Sequence, residues 1–164
     1  MVIKAKIQRL FSVLAAGVGS VDAVLFTHAH ADHVHGIDDL RAISIKQPGG
    51  LPVYGPAETM AELALRFGYI FDPAVRAEPG TTKPELRAHA LEPDRETEIA
   101  GMRVRPLRLP HGPHTVFGYR VGPIAYLTDA VPNTLVTVLS QVKGLRTMAP
   151  PSSIEWDPRK GDLA

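Results

Sequence analysis

The sequence predicts one domain of the α/β class, and its length and two patterns support this. The chain has 164 residues, 45% of them apolar and 21% charged, and a domain usually takes roughly 100–200 residues. Residues 21–27 form a short apolar, β-branched run, which is typical of a strand buried on both faces. Strand-like and helix-like stretches then alternate over residues 37–67, as in a parallel sheet covered by helices.

The first residues predict an amphipathic helix over 4–16. Basic residues precede the apolar stretch 10–18, and the apolar character ends at Ser20 and Asp22. This stretch is shorter than the ~20 residues that a membrane span needs, and it continues smoothly into the following strand. We therefore expect neither a signal peptide nor a membrane anchor here, and a cytoplasmic protein.

Two strand–helix steps follow residue 21. A helix is predicted around 37–45, ended by the Pro and Gly residues at 48–50, and a short strand over 51–54. Pro56 is expected at the first position of the next helix, where its missing N–H costs nothing. Gly68 is expected to cap the end of that helix.

The second half of the chain has a different pattern. Residues 71–95 are rich in proline and charge and predict a loop. Extended arms around Gly-containing turns predict hairpins over 96–109 and 117–128. Residues 135–145 predict a short helix. The domain is therefore expected to cover 1–147, and the tail 148–164 has no packing pattern.

Composition excludes several classes of function. The formal net charge is +1, so there is no basic footprint for nucleic-acid binding. The chain contains 0 cysteines, which excludes disulfides, thiolate metal ligands and a cysteine nucleophile. Any metal must therefore be held by histidine, aspartate or glutamate.

The strongest chemical signal is the run of residues 28–33, directly after the predicted buried strand. His28 and His30 are two residues apart, so both imidazoles project to one side of an extended segment. Asp32 and His33 follow where the chain turns, and can face a second point nearby. Nitrogen and oxygen ligands in this combination suit Zn²⁺, Mn²⁺ or Fe²⁺. The sequence therefore predicts a metal site rather than a solvated turn.

At these residues the sequence resembles the metallo-β-lactamase superfamily, whose signature is H-x-H-x-D-H. Residues 36–41 are similar to the branch that contains phosphoribosyl 1,2-cyclic phosphate phosphodiesterase. The resemblance covers residues 14–145 and implies an αββα sandwich with the site at strand ends. It is also carried by Val53-Tyr54, Phe67-Gly68-Tyr69, His111-Gly112, Phe117-Gly118-Tyr119-Arg120 and Tyr126-Leu127-Thr128-Asp129.

The resemblance implies two divalent metals, zinc or manganese, and a ligand set. His28, His30 and His111 would bind the first metal, Asp32 and His33 the second, and Asp129 would bridge the two. Asp32 and His33 are also the residues assigned to catalysis. The residues themselves favour the two later ligands, because His111 follows a predicted strand and Asp129 ends another. Taken alone, they could equally be a loop histidine and a helix N-cap.

Two such metals would lower the pKa of a shared water and clamp the oxygens of a displacement at phosphorus. We therefore expect a hydrolase of cyclic or other small phosphodiesters. Arg41, His114 and Thr115 are candidate substrate contacts, although a salt bridge on the helix surface is an alternative for Arg41. His35 and His114 are candidate general acids. Asp38 is expected either to cap a helix, as Asp39 could, or to orient a ligand imidazole.

The chain departs from the family pattern at both ends. Only thirteen residues precede Leu14, and no histidine follows His114 to serve as the late ligand of the second metal. We therefore expect a sandwich that is incomplete at both ends and a weaker second site. Two further hypotheses stay open: a second copy or partner chain that completes the sheets, and a non-catalytic metal-binding remnant. Hydrolysis of another ester, a thioester or an amide would use the same metals.

Overall fold

The computed structural model describes residues 20–112 and 114–129 and the backbone of residues 2–4. In chain order the strands are β1 (Val2–Lys4), β2 (Ala23–Leu25), β3 (Leu51–Pro56), β4 (Leu86–Leu91), β5 (Thr97–Ile99), β6 (Met102–His111), β7 (His114–Val121) and β8 (Ile124–Tyr126). The helices are α1 (Ala31–Val34), a 3₁₀ helix (His35–Leu40), α2 (Arg41–Ser44), α3 (Ala57–Arg66) and α4 (Gly68–Phe71).

The strands form two four-stranded sheets. β1, β2, β3 and β4 lie side by side in that order, and each neighbouring pair is parallel. β5, β6, β7 and β8 form an antiparallel meander in chain order. Parallel strands need helical crossovers and antiparallel strands need only turns, which is why the helices lie in the first half and the hairpins in the second.

β2 lies between two apolar cores. Val24 packs with the helices against one face of the parallel sheet, in a cluster that includes Ile37, Leu40 and Leu63. Leu25, its neighbour, packs on the opposite face against Phe117 and other residues of the antiparallel sheet. Because side chains alternate along a strand, β2 serves both cores. The described layers are therefore helix, sheet and sheet, and the predicted α/β class is confirmed.

Most predicted elements are present, with shifted bounds. The buried strand is found within 21–27, and its predicted burial on both faces is confirmed. Both hairpins form, as β5–β6 and β7–β8. The helix predicted around 37–45 is a 3₁₀ helix followed by one α-helical turn.

Several predictions about element ends were wrong. Lys4 belongs to β1, so the helix predicted for 4–16 does not begin there. Pro56 precedes α3 as its N-cap, and Gly68 begins α4 instead of capping α3. The region 71–95, predicted as loop, contains β4. The rest of the 4–16 helix, the 135–145 helix and the tail lie outside the described residues.

In the part of the chain that the structure describes, the helices are too short or too polar to cross a bilayer.

Candidate metal centre

The segment that follows β2 is fastened to both sheets. The Phe26 N–H donates to the Tyr54 carbonyl in β3 at 2.7 Å, and the Thr27 carbonyl accepts from the Phe117 N–H in β7 at 3.0 Å. The Tyr119 hydroxyl donates to the Phe26 carbonyl. Since the backbone before His28 is held from two sides, its imidazole starts from a fixed position at the carboxyl end of the sheet.

The structure brings the six predicted ligands together. One ligand atom from each of four of them lies within 4.8 Å of the others: His28, His30, His111 and Asp129. The ring centroids of His28 and His33 are 4.2 Å apart, and Asp32 Oδ2 lies 3.1 Å from His33 Nε2. Side chains from the β2–α1 turn thus meet side chains that come more than eighty residues later in the chain.

Asp129 lies between the two groups of ligands. Its Oδ2 is 3.2 Å from Nε2 of His28 and 3.0 Å from Nε2 of His33. Thr128 Oγ1 donates to the other carboxylate oxygen at 3.1 Å. The backbone of Asp129 has φ 53, a left-handed conformation that non-glycine residues rarely adopt. Strain of this kind persists only where the surroundings fix the residue, and it is common at functional sites.

Hydrogen bonds hold two of the imidazoles in orientation. His111 Nδ1 lies 3.0 Å from the Asp129 carbonyl oxygen; a carbonyl can only accept, so Nδ1 carries the proton and Nε2 presents its lone pair. His28 Nδ1 lies 3.0 Å from Thr27 Oγ1. When Nδ1 donates to that hydroxyl, Nε2 of His28 also presents a lone pair. Partners of this kind orient metal-binding histidines in proteins.

The electrostatics keep two of the ligands, His28 and Asp129, in their metal-binding forms at neutral pH. Burial, together with the neighbouring His33 and His30, lowers the pKa of His28 from 6.5 to about 4. Burial raises the pKa of the Asp129 carboxyl, but the His33 imidazole, the Thr128 hydrogen bond and the His28 imidazole outweigh it, so that the pKa is lowered. His28 is therefore neutral and Asp129 ionised, and a cation can bind both.

The arrangement of the donor atoms is better suited to binding a metal than to hydrogen bonding among the side chains. Nε2 of His28 and both ring nitrogens of His33 are buried without a hydrogen-bond partner, although carboxylate oxygens lie close. Buried polar atoms are rarely left unpaired, and unpaired imidazole nitrogens facing a carboxylate are suited to Zn²⁺ or Mn²⁺. His28, His30, His111 and Asp129 could hold one ion, and Asp32, His33 and the shared Asp129 a second.

A cavity of about 280 Å³ opens beside the imidazoles. Its walls come from the ligand segment, β7 and one side of α3: His28, Ala29, His30, Glu58, Thr59, Glu62, Arg66, His114 and Val116. His114, a predicted substrate contact, is exposed in this cavity, with its ring centroid 6.3 Å from that of His30.

Arg66 was missed by the sequence reasoning. Its Nη1 donates at 2.7 Å to the carbonyl of Ala29, which lies between two of the imidazoles, and its Nη2 pairs with Glu62. Glu58, Glu62 and Arg66 are spaced four residues apart on a predicted helix that follows a strand, and such residues share one face. This spacing was the signal that could have placed them near the site.

Other sequence candidates lie elsewhere. Arg41 is exposed on α2 near Tyr69 and does not line the cavity. Asp38 lies within the 3₁₀ helix and accepts a hydrogen bond of 2.8 Å from the Tyr69 hydroxyl. Neither this helix nor α2 has a side-chain cap among the described residues, so the capping interpretation of Asp38 was wrong. Its orientation of an imidazole stays a prediction. His35 is exposed. Thr115 lies in β7, and only its backbone is described.

Comparison with known proteins gives consistent results. Residues 6–153 match the family described as a beta-lactamase superfamily domain. The crystal structure of a diphosphatase from the PhnP family superposes with a TM-score of 0.68 at 28% identity, covering 88% of this chain and 53% of that one. YhfI from Bacillus subtilis, a metallo-beta-lactamase fold protein, gives 0.53 at 22% identity over 78% of this chain and 45% of its own.

A relative with a different name is also similar. The octanoyltransferase of Porphyromonas gingivalis is 40% identical over 116 residues, which is 71% of this chain and 22% of that protein. This chain thus spans about half of the two structural relatives and less than a quarter of the octanoyltransferase.

The layered sheets and the convergent imidazoles define a hydrolase fold of the metallo-β-lactamase type. The family match over residues 6–153 is decisive, and the chain belongs to the beta-lactamase superfamily, as the H-x-H-x-D-H motif predicted.

Proposed function

We propose that this protein hydrolyses small phosphodiesters with the help of two divalent cations. The observation that carries the proposal is the position of one carboxylate oxygen. Asp129 Oδ2 lies 3.2 Å from His28 Nε2 and 3.0 Å from His33 Nε2, where it faces both groups of candidate ligands. A shared carboxylate between two sets of donors is the arrangement that a pair of cations needs.

When bound, the cations supply Lewis acidity and a water of lowered pKa for attack at phosphorus. Residues of the chain orient the metal ligands and place the substrate. Thr27 and the Asp129 carbonyl orient the imidazoles of His28 and His111. The cavity beside His30 and His114 takes one ester arm of the substrate and so orients the phosphorus towards the site.

The second cation is proposed to bind more weakly than the first. Three histidines and Asp129 surround the first position. Asp32, whose side chain is 57% exposed, His33 and the shared Asp129 are the donors available to the second among the described residues. Fewer donors and an exposed carboxylate reduce affinity, so the two ions should leave the protein at different chelator concentrations.

The comparisons support a phosphorus ester more than an acyl ester. The diphosphatase shares 28% identity over most of this chain, whereas the matched part of the octanoyltransferase is 22% of that protein, so its name describes a much longer chain. Acyl-ester or thioester hydrolysis is the second candidate, because that relative is 40% identical over 71% of this chain.

The test is metal content together with substrate choice. Purified protein dialysed against metal-free buffer should retain one tightly held zinc or manganese, and added metal should fill a second position. The loaded protein should hydrolyse bis(p-nitrophenyl) phosphate faster than p-nitrophenyl octanoate. Activity on the octanoate alone would replace the proposal with its acyl alternative.

Matched variants make the result specific. His30→Ala removes a ligand and should abolish both tight metal binding and phosphodiester hydrolysis. His89→Ala is the control, because His89 is exposed in β4 and stacks on Tyr54 away from the cluster, and it should change neither. Activity retained in His30→Ala would refute the proposed site.

A further inference from the structure

We propose that Glu58 and Glu62 select the substrate by its second ester arm, favouring arms that carry hydroxyl or ammonium donors over arms that carry negative charge. This inference rests on the proposed function and adds the substrate class to it. Hydroxyl and ammonium groups share one property here, because each can donate a hydrogen bond to a carboxylate.

The first argument is position. Residues four apart on a helix lie on the same face, and Glu58, Glu62 and Arg66 occupy three successive turns of α3. All three line the cavity that also contains His30 and His114. A substrate whose phosphorus lies at the imidazole cluster therefore has α3 beside one of its two ester arms.

The second argument is charge. Arg66, the cation of this wall, is already committed to Glu62 and to the Ala29 carbonyl. Glu58 has no ion pair or side-chain hydrogen bond in the described part of the chain and is exposed. The wall therefore presents uncompensated negative charge to whatever enters. An anionic arm would be repelled there, whereas hydroxyl and ammonium groups find acceptors.

The helix dipole accounts for only one of the two carboxylates of this wall. A carboxylate in the first turn of a helix is stabilised by the N-terminal dipole, and this covers Glu58. The effect falls off within that turn, so Glu62 gains little from it. Both carboxylates nevertheless face one cavity beside the candidate cations.

The third argument is size. The cavity holds about 280 Å³, slightly below the ~300–1,000 Å³ range of pockets for drug-sized ligands. It suits one arm of the size of glycerol or ethanolamine. It does not suit a nucleic-acid strand, whose further phosphates would also meet the carboxylates. The inferred substrates are small diesters with one donor-rich arm.

The experiment compares p-nitrophenyl phosphodiesters that share a leaving group and differ in the second arm: aminoethyl, glycerol, methyl and carboxyethyl. The protein should prefer aminoethyl and glycerol arms, which carry hydrogen-bond donors, over carboxyethyl in kcat/KM. Glu58→Gln should reduce this preference by about tenfold, the usual order for one hydrogen bond to a charged group. Glu58→Asp should retain much of it, and Glu58→Lys should invert it towards carboxyethyl. Glu78→Gln, which changes an exposed carboxylate outside the cavity, should leave the preference unchanged.

A binding measurement separates this inference from the proposed function. Calorimetric titration of the metal-loaded protein with phosphoethanolamine, glycerol phosphate and carboxyethyl phosphate tests the wall without turnover. The protein could bind these phosphates in the expected order, lose that order in Glu58→Gln, and yet hydrolyse no diester. This result would overturn the proposed function but support the inferred role of Glu58. Hydrolysis that is equal for all arms, or a preference that Glu58→Lys does not change, would overturn the wall. An aminoethyl preference without a glycerol preference identifies the favoured arm as cationic, and the reverse identifies it as polyhydroxylic.

Discussion

The two halves of the candidate site are built in different ways. The first half, His28 to His33, is contiguous in sequence, its two most buried imidazoles are 4% and 1% exposed, and both sheets hold the backbone before it. The second half joins His111 at the end of β6 to Asp129 after β8, and the two residues are held by a hydrogen bond to each other. The backbone bonds before His28 therefore set the position of the first half. The position of the second half depends on the pairing register of β6, β7 and β8. Variants in each half should separate these contributions.

The largest expected effect is on the second half, at Asp129. Asp129→Asn keeps the size of the side chain and its Thr128 partner but removes the charge that faces both groups of imidazoles. Metal affinity should fall by more than about 100-fold, because loss of a residue that only orients a ligand already costs about 10–100-fold. Competition with a chromophoric chelator measures this. Unchanged affinity would mean that His28, His30 and His111 suffice alone.

The next effect tests how the first half is held. Tyr119→Phe removes the hydroxyl that donates to the Phe26 carbonyl inside a fully buried environment. The free energy of unfolding should fall by about 1–3 kcal/mol, the cost of leaving a buried acceptor unpaired. Urea denaturation of the metal-free protein measures it. Arg95→Met is the reference, because solvent screens the exposed Arg95–Glu92 pair, and its loss should leave the free energy of unfolding nearly unchanged.

The smallest effect concerns the bracing of the first half from α3. Arg66→Met removes the donor to the Ala29 carbonyl, while the methionine keeps an apolar stem of similar length. The imidazoles on either side lose one restraint, and metal affinity should fall roughly tenfold, at the low end for groups that orient ligands. The same titration as for Asp129→Asn gives the value. A loss of stability equal to that of Arg95→Met with no loss of affinity would make Arg66 a surface residue only.

The sequence predicted the first half of the site better than the second and much better than its surroundings. A six-residue motif after an apolar strand fixes four side chains by local geometry alone. His111 and Asp129 come together only through the β6–β7 and β7–β8 register, which no local pattern specifies, so their assignment needed the family resemblance. The helical spacing could have placed Arg66 near the site, but its contact could not be predicted, because its acceptor is a backbone carbonyl.

The missed strand β4 has a similar explanation. Its burial pattern leaves four exposed residues between Leu86 and Leu91, so the apolar signal of a buried parallel strand is absent. Pairing with β3 over six residues holds it in the sheet, and such pairing depends on backbone groups that every residue carries.

Because β2 packs in both apolar cores, it restricts local unfolding of the domain. Since neighbours Val24 and Leu25 belong to different cores, detaching the helical layer alone leaves one of them packed, and detaching the second sheet leaves the other. Backbone amides in such a strand exchange with solvent only when the whole domain opens. We therefore expect the imidazoles after β2 to follow one of the slowly exchanging segments of the described residues, and to keep their places when other parts of the domain open locally.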